Sequence, residues 1–502
     1  MPRVENWRPT MSFETPTIEL LEPRHVPKDE LERILDLQRA AFLAEGFVSA
    51  AVRRDRVSRV ALTILDNIDA ISDAVSLDYG YRPAQLTKAF EATSWLPDVF
   101  ANFAKLDDWM KDTEVPGGFI QQKPKGVVGV IGAWNFPIIL SFEPAMAALL
   151  AGNRVMLNFS EFHVRTGQLL AKLFAEKIDE SEFAIVTGDL ATARSFAELR
   201  FDHLMFTGSP GVGSLVAQAA AKNLVPVTLE LGGKNPVVIS HSADLELAAH
   251  RIAGTRALNS GQICLCPDYV FVPRDQKDEL VEGLRKEFAA LYPDFLENPG
   301  VVAIVNDRNY DRVVGLIDDA VDKGATKIVV APESELGSLP NRESRRIAPT
   351  ILLDVPDEAR ISGEEIFGPV LPVYVYDDIA EVSQYVASRP TPLGAYWYGE
   401  DDDEFRGFLN TTSSGGVTRN DGITHALLLD APFGGAGNSG SGSYHSKDGF
   451  DTFTHRRTVS NVTAERGVSD GLIGRALDDE QFKGMIDQVI SDSADAFRSN
   501  LL

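Results

Sequence analysis

Between residues 27 and 110 the apolar positions recur at helical spacing. Leu31, Ile34, Leu35 and Leu37 line up with Ala41 and Phe42, and a charged face follows at Arg53-Arg54-Asp55-Arg56. This predicts a run of helices, closed by the turn Pro116-Gly117-Gly118 and a short strand over 119–123. From residue 126 the pattern changes. A continuous apolar run over 126–131 reads as a buried strand, and a helix through 145–151 stops at Gly152-Asn153. Short strands over 154–157, 183–186, 203–206 and 225–229 then alternate with helices over 164–178 and 214–222. Strands alternating with helices in this way predict a parallel, doubly wound sheet.

A second alternation extends over 244–398. It has helices over 244–259, 276–291 and 309–323, and strands over 269–272, 327–330, 350–353 and 370–375. This predicts a second α/β domain, with the cleft between the two as the usual place for a ligand. Residues 432–440 are rich in Gly and Ser and read as a loop. The last forty residues return to a helical pattern through Leu472, Ala476, Phe482, Ile486, Val489 and Ile490. Residues 1–16 carry charges and prolines and read as a loose arm.

A chain of 502 residues is too long for one core. Its net charge of −25 argues against nucleic acid and against anionic membranes, both of which call for basic patches. The longest apolar run, 126–140, is interrupted by Trp134, Asn135 and Pro137 and is too short to span a bilayer. The only cysteines, Cys264 and Cys266, stand one residue apart, with no histidine near them in sequence. They make neither a disulfide framework nor a metal site, and a reducing, cytoplasmic setting suits them.

These two thiols lie in the loop Asn259-Ser260-Gly261-Gln262-Ile263-Cys264-Leu265-Cys266-Pro267. Small and polar residues precede Cys264, so the loop could offer a nucleophile; alternatively Cys264 is a small buried hydrophobe. Four other pieces carry chemistry. Ser209-Pro210-Gly211 opens a helix after a strand, where free amides bind phosphate. Glu230 ends a strand beside Gly232-Gly233-Lys234, either as a base or as a surface partner of Lys234. Asn135 sits between two aromatics and is an oxyanion donor or a turn residue. Glu365, before Phe367-Gly368-Pro369, could hold ribose hydroxyls or simply end a solvated turn.

Taken together, the motifs around Asn135, Ser209, Glu230, Cys264, Glu365 and Phe433 resemble the aldehyde dehydrogenase superfamily, in family order, from about residue 30 to about 460. The Asn259-Ser260-Gly261-Gln262 form and the His455-Arg456-Arg457 ending are similar to the branch containing coniferyl aldehyde dehydrogenases.

The resemblance implies an α/β fold of two doubly wound Rossmann-like domains with a small β arm. The cofactor domain would comprise 1–105 and 125–231, the catalytic domain 232–440, a bridging and oligomerisation arm 106–124 and 450–465, and a helical tail 466–502. It implies Cys264 as nucleophile, Glu230 as the base that activates water, and Asn135 with the Cys264 N–H as the oxyanion hole. Ile131, Trp134, Asn158, Glu161, Gly208, Ser209, Leu231, Glu365 and Phe367 would form the cofactor site. Phe136, Leu140, Leu427 and Phe433 would line an apolar substrate tunnel, and no metal is expected.

The implied reaction is nicotinamide-dependent oxidation of an aldehyde, aromatic or medium-to-long aliphatic, to the acid through a thioester. The alternatives are a coenzyme-A-acylating enzyme and a catalytically idle protein on the same fold. One position departs from the family pattern: Asn158 stands where a lysine is usual. With Glu161 three residues on, it favours NAD over NADP. The expected partner is a second copy, as a homodimer.

Overall fold

Gly46, with φ of 69°, stops the first of the N-terminal helices, and its N–H bonds the Phe42 carbonyl. That helix, Lys28–Glu45, buries Leu31, Ile34 and Leu35, the apolar stripe read from the sequence. Ser49 caps the next helix, Ala50–Leu65, by accepting from the Val52 N–H. Ile68–Tyr79 and Leu96–Trp109 complete the helical opening. The computed structural model describes residues 22–461 and 479–501.

The first sheet has six strands in the spatial order Gly440–Ser441, Val227–Leu231, His203–Gly208, Val127–Ile131, Arg154–Phe159 and Phe183–Thr187. All neighbours run parallel except the first pair, in which Gly440 opposes Glu230. Val127–Ile131 is buried at every position, which is why it reads as a continuous apolar run rather than an alternation. One face packs Val127, Ile131, Met156, Leu204 and Phe206 against Leu31 and Leu35.

The second sheet has seven strands, ordered Thr326–Val329, Thr350–Leu353, Val370–Tyr376, Pro267–Pro273, Asn235–Ile239, Gly394–Tyr398 and Gly416–Arg419. Only the first pair is antiparallel. Asn235–Ile239, Gly394–Tyr398 and Gly416–Arg419 carry no clear sequence signal, yet the first two are buried throughout. Cys264 falls between a helix, Leu245–Ala257, and the central strand Pro267–Pro273.

Both sheets lie in one unit, residues 22–109 and 124–454; the described residues of 110–123 and 455–501 make a second unit. A three-stranded sheet of Thr113–Val115, Gly118–Pro124 and Thr454–Ser460, in that order, forms its body. The Asn461 N–H bonds the Gly117 carbonyl at 2.8 Å, and Thr454–Ser460 is an exposed edge. A separate helix, Glu480–Arg498, is capped by Asp479 and leaves Ile486, Val489 and Ile490 exposed. The expected arm over 1–16, the arm residues 462–465, and the tail positions Leu472 and Ala476 lie outside the described residues. No described helix is long and apolar enough to cross a membrane. Among the described residues no group of three or more His, Cys, Asp or Glu could hold a metal ion.

Candidate active site

Asn259, Ser260 and Gly261 have φ of 50°, 52° and 74°, three left-handed residues in succession. They turn the chain from the end of helix Leu245–Ala257 into the cysteine loop. Gly261 is required twice over: its φ is positive, and a Cβ there would lie 2.4 Å from the Gly368 carbonyl oxygen. Side chains pin the rest. Ser260 Oγ donates to the Val302 carbonyl at 2.7 Å. Gln262 Nε2 donates to the Asn259 and Ala303 carbonyls, and Gln262 Oε1 accepts from the Val305 N–H. Asn235 Nδ2 donates to the carbonyls of both Cys264 (2.7 Å) and Cys266 (2.9 Å). Each of these bonds removes freedom from the loop that carries the thiol.

Cys264 is half-buried, whereas Cys266 is buried with Sγ 3.7 Å from the Thr255 carbonyl. Burial pushes the Cys264 thiol well above its ordinary pKa, and the charges of Glu230 and Glu365 push the same way; the N–H groups of Cys264 and Leu265 work in the opposite direction. Glu230 and Glu365, both distant in sequence, thus lie within electrostatic range of the sulfur. Glu230 is buried and its pKa rises to about 8, chiefly by burial, while the Gly435 N–H and His445 pull it down. That N–H reaches Glu230 Oε1 at 3.2 Å. Lys234 is not its partner. The ammonium pairs with Asp268 and donates to the carbonyls of Ile361 and Glu364, while Asp268 accepts from the Ile366 N–H.

Asn135 follows the strand Val127–Ile131 and is buried. Its Nδ2 donates to the Gln262 carbonyl at 3.3 Å, which brings it to the cysteine loop. Its own carbonyl accepts from Tyr79 Oη (2.8 Å), Asn259 Nδ2 (3.2 Å) and Arg82 Nη1 (3.3 Å). Arg82 forms a fully buried ion pair with Glu91 at 2.7 Å, and Glu91 accepts from the Ile138 N–H at 2.6 Å. The Arg82 guanidinium also lies 4.9 Å from the centre of the Phe136 ring. Tyr79, Arg82 and Glu91 do not stand out in the sequence, because their bonds to Asn135 and Ile138 span more than 40 residues.

Ile131, Asn158, Gly208 and Leu231 stand at or beside the C-terminal ends of adjacent strands of the first sheet, while Glu365 and Phe367 come from the loop before Val370–Tyr376 of the second. Ile131 pairs with Asn158 across adjacent strands. Trp134 meets Phe367 edge to face at 5.2 Å. The Glu365 carboxylate lies so close to Gly232 that a Cβ there would meet its oxygens at 2.4 and 2.5 Å. Glu365, like Glu230, has its pKa raised to about 8, first by burial and then by Asp268. Gly208 ends its strand beside Leu231, and Ser209 caps helix Pro210–Ala221 by accepting from the Val212 N–H at 3.4 Å.

Asn158 is buried and its Oδ1 has no hydrogen-bond partner among the described residues. Glu161 borders a cavity of about 480 Å³, walled also by Arg24, His25, Ser160, Thr187 and Gly188. An orphaned buried amide oxygen, a helix N-terminus and a carboxylate against glycine suit a dinucleotide.

Phe136 and Phe433 are buried and Leu140 is half-buried. Leu427 stands apart from them in exposure: it is 61% exposed and is followed by Leu428 and Leu429, also exposed.

The aldehyde dehydrogenase family model matches residues 17–459. The chain belongs to the aldehyde dehydrogenase family. A coniferyl aldehyde dehydrogenase of Pseudomonas sp. strain HR199 is 40% identical over 479 residues, 93% of this chain and 97% of that protein. The dimeric NADP-preferring aldehyde dehydrogenase of Rattus norvegicus is 37% identical over 84% of this chain and 92% of that one. Among solved structures, a substrate-bound AldH from Staphylococcus aureus matches with a TM-score of 0.82 and 30% identity, covering 91% of this chain and 99% of that one. This aldehyde dehydrogenase is therefore an enzyme that oxidises aldehydes with a nicotinamide cofactor.

The dehydrogenase also places a residue at its centre that the motifs did not single out. His445 has φ of 92°, stacks on Phe433 at 5.0 Å and lies near Glu230. Its only signal in the sequence is an unremarkable Ser-Tyr-His-Ser run.

Proposed function

We propose that this dehydrogenase converts aromatic or medium-to-long-chain aliphatic aldehydes to their acids through a thioester on Cys264, with NAD preferred. The observation that carries this reading is the Asn135 amide bonded to the cysteine loop, with buried Glu230 in electrostatic range of Cys264. Cys264 Sγ, as thiolate, adds to the aldehyde carbon, and the carbonyl oxygen becomes an oxyanion. Asn135 Nδ2 and the Cys264 N–H are the donors for it. Trp134, Phe367 and Glu365 would hold a dinucleotide, which when bound would supply the acceptor for the hydride that leaves the adduct carbon as the thioester forms. Glu230 accepts a proton from water, whose oxygen attacks the thioester carbon and releases the acid and the Cys264 thiolate. A buried carboxylate beside the thiol favours water over coenzyme A as the acyl acceptor.

The substrate class rests on Phe136 and Phe433, apolar and buried, and on the likeness to a coniferyl aldehyde dehydrogenase. A panel of coniferaldehyde, benzaldehyde and hexanal to decanal, ranked by kcat/KM with NAD, tests it. Aromatic or long-chain aldehydes are expected to lead. A clear preference for acetaldehyde, or acyl-coenzyme A as the product when coenzyme A is added, would overturn the reading.

The assembly proposed is a homodimer through the exposed edge strand Thr454–Ser460. Light scattering at micromolar concentration is expected to give twice the chain mass; a monomer contradicts it. Two unbridged thiols suit a reducing, cytoplasmic setting.

A further inference from the structure

His445 is held in a backbone conformation that a side chain rarely adopts. Its φ is 92°, Ser446 follows at 48°, and Asp430 precedes them at 66°. Glycine would adopt φ of 92° without strain. Strain kept at a residue beside a reactive group points to what its side chain does there. The imidazole lies flat on Phe433 at 5.0 Å with an interplanar angle of 21°, and meets Tyr444 edge-on at 4.6 Å. Nε2 stands 3.3 Å from Glu143 Oε2, an ion-pair distance, with both side chains largely buried. Phe433 and Tyr444 exchange both main-chain hydrogen bonds, so the stacked ring is fixed to the same hairpin whose Gly435 N–H holds Glu230 and whose Gly440 pairs with it.

We propose that His445 is a positioning residue for thioester hydrolysis: its imidazolium, paired with Glu143 and stacked on Phe433, supplies a positive charge that favours the ionised form of Glu230 against its burial. This rests on the reading of Glu230 as the water-activating base.

The charge state follows from what surrounds the ring. Burial disfavours the imidazolium, but Glu143 from helix Ile139–Leu150, Asp98 from helix Leu96–Trp109 and Glu230 from strand Val227–Leu231 outweigh it, and the pKa of His445 is raised. His445 and Asp98 both border a small cavity walled also by Asn102, Glu143 and Ser446. One layer out, Lys105 pairs with Asp430, which accepts from Ser446 Oγ at 3.1 Å. Among the influences on Glu230, only the Gly435 N–H and the His445 charge favour its ionised form against burial. Cys264 and Glu230 act on each other electrostatically, so a thiolate at Cys264 opposes the Glu230 carboxylate and makes that positive charge more necessary. An imidazolium in place of a lysine gives a charge that is lost at high pH, so both members of the pair titrate.

The test is the pH dependence of steady-state kcat in His445→Gly and His445→Asn, with the NADH burst recorded in the same samples. Glycine relieves the backbone and asparagine tolerates positive φ, so the thermal midpoint is expected to hold in at least one of them. Removing the charge is expected to move the acid limb of kcat to higher pH by about one unit, while the burst amplitude persists. Glu143→Gln, which removes the anchor and leaves the imidazole, is expected to shift the limb in the same direction by less. A purely structural His445 would lower the thermal midpoint and the burst together and leave the acid limb in place; that result overturns the inference. Glu230→Gln run alongside separates the two levels. If it leaves hydrolysis fast, the role of Glu230 fails; if it slows hydrolysis while the acid limb of the His445 variants stays put, the inference alone fails.

Discussion

The side-chain amide of Asn135 donates to the main-chain carbonyl of Gln262 at 3.3 Å, two residues before Cys264. The donor comes from the loop after a strand of the first sheet, and the acceptor from the cysteine loop that enters the second. A carbonyl bond at that length is a moderate one, and a forming oxyanion attracts the same N–H more strongly. Asn135→Ala is expected to lower kcat about 10²–10³-fold, with KM little changed. Steady-state kinetics with one aldehyde and saturating NAD check this.

Behind Asn135 stands the Arg82–Glu91 pair, fully buried on both sides. Leaving one partner without the other strands a charge in the interior. Arg82→Leu is expected to cost about 3–5 kcal/mol of stability, read from denaturant unfolding. Because Arg82 also touches the Asn135 carbonyl and the Phe136 ring, kcat should fall in whatever fraction remains folded.

Much of this site is legible in the sequence, and the reason is local. Gly261 and Cys264 carry their chemistry in residue type and immediate neighbours, so the loop and the thiol are readable along the chain, whereas the close approach of Gly232 to Glu365 is made only by the fold. Asn235 is different. It joins the Cys264 and Cys266 carbonyls to the Gly394 N–H, 159 residues away, and opens a strand whose Asn-Pro start reads as a turn. His445 and Glu143 likewise meet only through the fold. Leu427 shows another limit: the resemblance implies a tunnel residue there, and residue type alone does not give its exposure, which is 61%.

The two thiols are expected to differ. Cys266 is buried against the Thr255 carbonyl and is pushed above its ordinary pKa by burial. Cys266→Ala should keep turnover and lose about 1 kcal/mol of stability. Cys264→Ala should abolish turnover while binding NAD as before, measured by titration calorimetry. Activity in Cys264→Ala overturns the assignment of the nucleophile.

At the proposed adenosine end, Asn158 would offer no cation and Glu161 would repel a 2′-phosphate, while Arg24, which borders the same cavity as Glu161, would attract one. Asn158 is buried and Glu161 is half-buried, so their effect is expected to win over an exposed arginine. NAD is expected to lead NADP by about tenfold in kcat/KM. Asn158→Lys should narrow the gap, and Arg24→Ala should weaken NADP alone. Equal or better use of NADP by the wild type contradicts this.

The pKa of Glu230, raised to about 8, sets the sign of two pH effects. Below that value the carboxylate is protonated and cannot take a proton from water, so kcat is expected to rise with pH until about 8. Stability runs the other way. The folded protein keeps a proton that the unfolded chain releases near 4.5, so this group's contribution is lost as pH rises from there through about 8. Glu230→Gln should remove that loss and be more stable than wild type at alkaline pH, by thermal unfolding across pH 5–9.

The thioester can be caught directly. Glu230→Gln, mixed with NAD and coniferaldehyde, quenched in acid and digested, is expected to yield the peptide containing Cys264 carrying the acyl group, by mass spectrometry. One equivalent of NADH should appear in the burst, followed by steady turnover about 10²–10⁴-fold below wild type. An adduct on Cys266, or no adduct despite a full NADH burst, would contradict the assignment of Cys264 and Glu230.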